Sequence, residues 1–172
     1  MYASNCRTLE NSLNIHYNGK NFKKRMWEEM ETNRKVLAYI TKGTAPDEEL
    51  LVFEFKNNDK EGFFVPGGTI EPGELIMDAI YREIEEETGI QQNELKLVGK
   101  LNKTNHFPED RDKAYERTFF QFTYIGEERD AWEHIGTGSG EDRGLIFSLR
   151  FIPLKQLPTL GSNQDQALEF IM

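Results

Sequence analysis

The sequence predicts an α/β fold, a mixed β-sheet lying between helices, and three observations predict it. Short apolar runs bounded by turn residues recur along the chain in the order β-β-β-α-β-β-β-α. One segment, residues 74–88, changes to a helical period and is closed by Gly89, the usual residue at the left-handed position after a helix. The length of 172 residues suffices for one well-buried domain and is short for two.

Residues 1–33 are polar and weakly patterned, with a basic stretch from Lys20 to Trp27. They read as an N-terminal extension ahead of a domain spanning 34–172. Met30 lies just before that boundary. Residues 1–29 are therefore either read from an upstream start codon or form a short helix that packs on the domain or pairs two copies into a homodimer.

Arg34 to Thr41 carries Val36-Leu37-Ala38-Tyr39-Ile40, the apolar run of a buried strand. Residues 42–48 are turn-rich. Leu50 to Lys56 alternates, with Leu51, Phe53 and Phe55 on one face and Val52 and Glu54 on the other. Phe63 to Gly68 is a third strand, stopped by Pro66, which has no N–H to give a ladder. After the helix, Glu94 to Leu101 and Arg117 to Ile125 read as strands, with a polar loop from Thr104 to Tyr115 between them. A Gly-rich loop, Gly136 to Gly144, precedes a last strand region from Leu145 to Leu154. Asn163 to Met172 reads as a short closing helix with Ala167, Leu168 and Ile171 inward.

The formal charge is −9 and the pI about 4.9, with much of the acidity in the helix. That argues against broad charge-driven binding of nucleic acid, which needs a basic face. Cys6 is the single cysteine, so no internal disulfide forms, which fits a reducing compartment. No stretch approaches the roughly 20 apolar residues of a membrane span, and the N-terminus lacks a signal-peptide core. The expectation is a soluble, cytoplasmic protein with no membrane partner.

The helix concentrates the chemistry. Like charges three or four residues apart cost a helix roughly 0.2–0.5 kcal/mol per pair. Yet Glu83, Glu85, Glu86 and Glu87 stand together with one arginine, Arg82. Carboxylates gathered against that penalty suit a hard divalent cation, which takes oxygen ligands. At about 100° per residue, and with Ile76 as zero, Glu83, Glu86 and Glu87 fall at about −20°, −80° and +20°. All three share one edge, next to the apolar stripe of Ile76, Ile80 and Ile84. Arg82 and Glu86 are spaced for an ion pair, and a guanidinium fork can fix a carboxylate rotamer with two hydrogen bonds. Gly67 and Gly68 permit a close approach of backbone to a metal.

The spacing is also a named one. Gly68, Glu74, Arg82-Glu83-Ile84, Glu86-Glu87 and Gly89-Ile90 match every fixed position of the Nudix box. With each residue type at roughly 6–7% usage, chance agreement is on the order of 10⁻⁹ per starting position. The chain resembles the MutT/Nudix hydrolases over about residues 34–172. That resemblance implies an α/β/α sandwich and a pyrophosphohydrolase acting on a nucleoside diphosphate linked to another moiety, foremost a (d)NTP or related nucleotide. It implies Mg²⁺ or Mn²⁺ held by Glu83, Glu86, Glu87 and the Gly67 carbonyl, with Glu74 in support and Arg82 orienting the acids. Glu83 is the first candidate for the base. Members of the family differ on this point, and Glu141 in the Gly-rich loop is the alternative, with Glu109 and Glu116 behind it.

The substrate is not legible. Phe53, Phe107 and Trp132 are candidates to stack on a base, although aromatic residues on strands are more often core. Lys103, Arg111, Lys113 and Arg117 are candidates for phosphate contact, and His106 and His134 have no metal-ligand spacing. Two other readings remain. One is removal of pyrophosphate from a 5′-triphosphate RNA end, the only case that brings in nucleic acid. The other is a nucleotide-sensing module without turnover, although such a module is expected to lose box acids and this chain keeps all of them.

Overall fold

A computed structural model describes residues 31–56, 61–108, 113–139 and 143–171. Seven strands form one sheet: β1 (Glu31–Lys42), β2 (Glu49–Phe55), β3 (Gly67–Thr69), β4 (Leu95–His106), β5 (Lys113–Tyr124), β6 (Ala131–Ile135) and β7 (Ile146–Pro153). The order across the sheet is β4-β5-β1-β2-β7-β6, with β3 paired to β1. Among the described residues one α-helix, α1 (Ile76–Thr88), lies on one face. This is the mixed sheet of the expected α/β/α sandwich.

Both faces are covered because the sequence of β1 is apolar at every position from Val36 to Ile40. Val36, Ala38 and Ile40 pack under α1 with Ile80, Ile84, Phe122 and Phe147. Leu37 and Tyr39 point the other way, onto Leu50, Val52, Phe119, Leu160 and Ala167. None of the five β1 residues is more than 2% exposed, which explains why the run shows no alternation.

β1 has three partners, β5, β2 and β3. Near its end, Thr41 pairs with Leu50 of β2. At its start, Lys35, Val36 and Leu37 pair with Thr69, Gly68 and Gly67. β3 is thereby pinned beside β1, next to α1. Gly67 has a φ of 153°, and a Cβ there would stand 2.2 Å from the Val36 carbonyl oxygen, so only glycine fits this approach.

Several boundaries differ from those predicted. β1 starts at Glu31. The regular part of the third strand is only Gly67–Thr69, with Phe63 and Phe64 making isolated bridges. The helix begins at Ile76, because Glu74 folds back to accept the Glu71 N–H at 2.9 Å. The Thr104–Tyr115 loop is shorter than expected, since β4 runs to His106 and β5 starts at Lys113. β6 was not predicted at all. The closing helix is corrected to 3₁₀ turns at Gly161–Asn163 and Leu168–Phe170. Tyr39 explains this: its hydroxyl donates to the Gln164 carbonyl and accepts the Ala167 N–H, drawing that backbone onto the sheet and away from a helical ladder.

Candidate active site

Helix α1 sorts its glutamates by angle. Glu83 and Glu87 are 9% and 5% exposed, Glu86 is half-buried, and Glu85 points to solvent. Glu83, Glu86 and Glu87 line a cleft of about 490 Å³ with Gly67, Gly68 and Arg82. The helix's last turn is held from β6 and the loop after it. Trp132 Nε1 donates to the Thr88 carbonyl at 2.9 Å, and the Glu86 carbonyl accepts from His134 Nε2 and the Thr137 N–H. Gly89 closes the helix at φ 73°.

Arg82 organises the acids. It grips Glu74 with two hydrogen bonds, Nε to Oε1 at 2.8 Å and Nη2 to Oε2 at 3.0 Å. Nη1 reaches Glu83 Oε1 at 3.0 Å and Glu86 Oε2 at 3.2 Å, and Nη2 also donates to the Thr69 carbonyl. Glu87 is tied separately, accepting the Gly67 N–H at 2.8 Å. The Arg82 hydrogen bond holds Glu74 below the usual carboxylate range. Burial pushes Glu83 above it, against the pull of Arg82.

Glycines bring backbone onto these carboxylates. A Cβ at Gly68 would stand 2.2 Å from the Glu83 carboxyl carbon, and one at Gly138 would stand 2.7 Å from Glu86 Oε2. Lys35, Asn33, Tyr115 and Ser139 also line the cleft. The sequence does not mark these four for the site, since isolated residues on strands and loops carry no spacing signal.

Among the described residues, no three acid, histidine or cysteine side chains stand in a metal-coordinating array. The physical reason is local: Glu83 and Glu86 face Arg82, and Glu87 faces Gly67 N–H. The donor set nevertheless fits a hard divalent cation. It offers only carboxylate oxygens, and two of them already converge on a single cationic nitrogen.

The profile of the NUDIX domain matches residues 27–171. The chain belongs to the NUDIX family. This hydrolase family acts on phosphorus-containing acid anhydrides, and the protein is a Nudix hydrolase. An ADP-ribose pyrophosphatase of Methanocaldococcus jannaschii is 31% identical over 127 residues, 73% of this chain and 67% of that protein. An 8-oxo-dGDP phosphatase of Homo sapiens is 37% identical over 60 residues, 33% of this chain and only 19% of the relative. The crystal structure of a MutT NUDIX hydrolase from Burkholderia pseudomallei superposes with a TM-score of 0.59 at 19% identity, covering 83% of this chain and 99% of that one. That likeness concerns the fold alone.

The other candidates scatter across this Nudix fold. Glu141, Glu109 and Arg111 lie outside the described residues. Glu116 is occupied by Lys103 at 2.8 Å and Arg34 at 3.7 Å. Phe53 is core, 3% exposed, and Trp132 caps the helix rather than facing the cleft. Phe107 is 43% exposed just past β4. Lys113 lines the cleft, whereas Arg117 and His106 line a neighbouring hollow.

Proposed function

We propose that this Nudix hydrolase is a divalent-metal-dependent pyrophosphohydrolase. Its substrate is a nucleoside diphosphate linked to another moiety, foremost a (d)NTP or related nucleotide. The observation that carries the reading is the convergence of Glu74, Glu83 and Glu86 on Arg82 at the edge of a cleft that also holds Lys35. The named activities of the two relatives, ADP-ribose pyrophosphatase and 8-oxo-dGDP phosphatase, support a nucleoside diphosphate core.

In this reading Glu83, Glu86, Glu87 and the Gly67 carbonyl hold Mg²⁺ or Mn²⁺, and Glu74 acts through Arg82. A bound ion supplies charge neutralisation for the diphosphate and a lower pKa for water. Arg82 fixes the rotamers of the acids around it. Lys35 meets phosphate charge from the β1 side of the cleft. Glu83 is the base: burial raises its proton affinity, and Arg82 engages only its Oε1, leaving Oε2 to take the proton of the attacking water. Residues 34–172 form the catalytic domain and residues 1–33 an extension. A cytoplasmic location is part of this reading; among the described residues no helix is long and apolar enough to cross a membrane.

A hydrolysis screen tests this directly. It covers (d)NTPs, ADP-ribose, 8-oxo-dGDP, dinucleoside polyphosphates, nucleotide sugars and 5′-triphosphate RNA, with Mg²⁺, with Mn²⁺ and with EDTA. At least one nucleoside diphosphate derivative is expected to be cleaved at its pyrophosphate bond, with the rate lost in EDTA and restored by metal. Folded protein that cleaves none of them, or that works undiminished in EDTA, contradicts the proposal.

A further inference from the structure

Beside the cleft lies a second hollow of about 490 Å³, and the two share Lys35, Gly67, Glu87 and Tyr115. One wall is built by register. In the β4–β5 pair, Thr104 stands opposite Arg117 and His106 opposite Tyr115, and directly opposed residues present side chains to the same face. The His106 and Tyr115 rings stack at 6.4 Å. Phe55 and Phe64, ring centroids 5.6 Å apart, line the hollow as well.

Arg117 is the anomaly. It is 5% exposed, yet among the described residues its guanidinium makes one hydrogen bond, from Nη1 to the Ser162 carbonyl at 2.5 Å. Its Nε and the neighbouring Thr104 Oγ1 are buried without a partner. Among the described residues no carboxylate pairs with it. Burial without a counter-ion pulls its pKa down to about 10, which still leaves it charged near neutrality. A buried, unpaired cation is strongly unfavourable unless an anion arrives to balance it. The backbone supports such a role, since Ser162 and Asn163 are both held at φ 53°. Non-glycine residues in that conformation are strained and gather at ligand sites. Here they turn a carbonyl onto one corner of the guanidinium, while its Nε stays buried without a partner. Two acids face the same space: Glu61, exposed at the rim, and Glu87, already bound to the Gly67 N–H.

We infer that Arg117 determines specificity by binding a phosphoryl group of the substrate beyond the two phosphates held at α1. The inference rests on the pyrophosphohydrolase reading and narrows its substrate class. Lys35, common to both hollows and poised 5.1 Å over the Tyr115 ring, lies where the phosphate chain passes from one to the other. A guanidinium fork matches phosphate oxygens well. The enzyme therefore favours nucleoside triphosphates or longer polyphosphates over nucleoside diphosphates joined to a neutral sugar.

Two measurements on the full chain test it. First, kcat and KM are compared for ATP and ADP-ribose with Mg²⁺ in the parent, Arg117→Met and Arg117→Lys. The ratio of kcat/KM for ATP over ADP-ribose falls at least tenfold in Arg117→Met, the loss lying in KM, and Arg117→Lys recovers part of it. An unchanged ratio, as loss of a merely structural arginine would give, overturns the inference. Second, binding of inorganic tripolyphosphate is measured by calorimetry with Mg²⁺. The parent binds it, and Arg117→Met binds it at least tenfold more weakly. A parent that fails to bind tripolyphosphate overturns this inference and leaves the hydrolase reading standing. Intact binding through Arg117 with no substrate hydrolysed sinks the hydrolase reading alone.

Discussion

Gly68 shows how closely the backbone is set against the acids. A methyl group there would stand 2.2 Å from the Glu83 carboxyl carbon, so Gly68→Ala must push that carboxylate off Arg82. Each tenfold in rate corresponds to 1.36 kcal/mol of barrier, and displacement of the proposed base is expected to cost tenfold or more in kcat. The site is partly open and the side chain can swing, so Tm should fall by no more than about 5 °C, roughly 1–2 kcal/mol. Parental kcat in the alanine variant would contradict the placement of Glu83. A second residue-scale test concerns Tyr39, fully buried, whose hydroxyl is pushed well above its usual range by burial. A raised folded-state value means the stabilisation is complete below about pH 10 and is lost as pH climbs beyond it, by up to about 1.36 kcal/mol per pH unit. The parent is expected to exceed Tyr39→Phe in stability at pH 8 through its two hydrogen bonds, and the gap should close above pH 10. A gap in denaturant midpoint that stays constant to pH 11.5 would contradict this. What was readable from sequence at this scale was what spacing encodes. Glu83, Glu86, Glu87 and Arg82 repeat at helical intervals, whereas Lys35 and the unpaired state of Arg117 depend on which strands become neighbours.

At the level of elements, the helix and the core strands were legible because each carries its own period, apolar throughout in β1 and at helical spacing in α1. The errors fall where a distant group decides. β6 is five residues, Ala131–Ile135, with Trp132 and His134 inward and Ala131, Glu133 and Ile135 exposed. That alternation is too short to stand out, and it matters because Trp132 and His134 both hold the end of α1. The closing segment does contain helix-like apolar spacing, and Tyr39 overrides it from 125 residues away in sequence. Trp132→Phe tests the helix anchor. It leaves the Thr88 carbonyl without its indole donor, costing about 1 kcal/mol. It also weakens the stacking of Arg129, now 5.0 Å from the ring, by about 0.5 kcal/mol. Tm is expected to drop by roughly 3–6 °C, with turnover within a few-fold of the parent; an unchanged Tm in a thermal melt would contradict the anchoring role.

For the whole molecule, residues 31–171 supply every strand and the helix described, and the family profile begins at residue 27. A chain starting at Met30 is expected to fold and to keep kcat within a few-fold. A folded but inactive product would make residues 1–29 part of the site. The central claim is that one edge of α1 does the chemistry, and it is tested most directly by turnover, with Mg²⁺, of Glu83→Gln, Glu85→Gln and Glu86→Gln side by side. Metal chemistry and an oriented water each account for several kcal/mol of barrier. Glu83→Gln and Glu86→Gln should therefore lose roughly a hundredfold or more. Relief of like-charge repulsion, about 0.2–0.5 kcal/mol per pair, should keep their metal-free Tm at or above that of the parent. Glu85→Gln, whose side chain faces solvent, should remain within a few-fold of parental turnover. An inactive Glu85→Gln beside near-parental Glu83→Gln and Glu86→Gln would contradict the account.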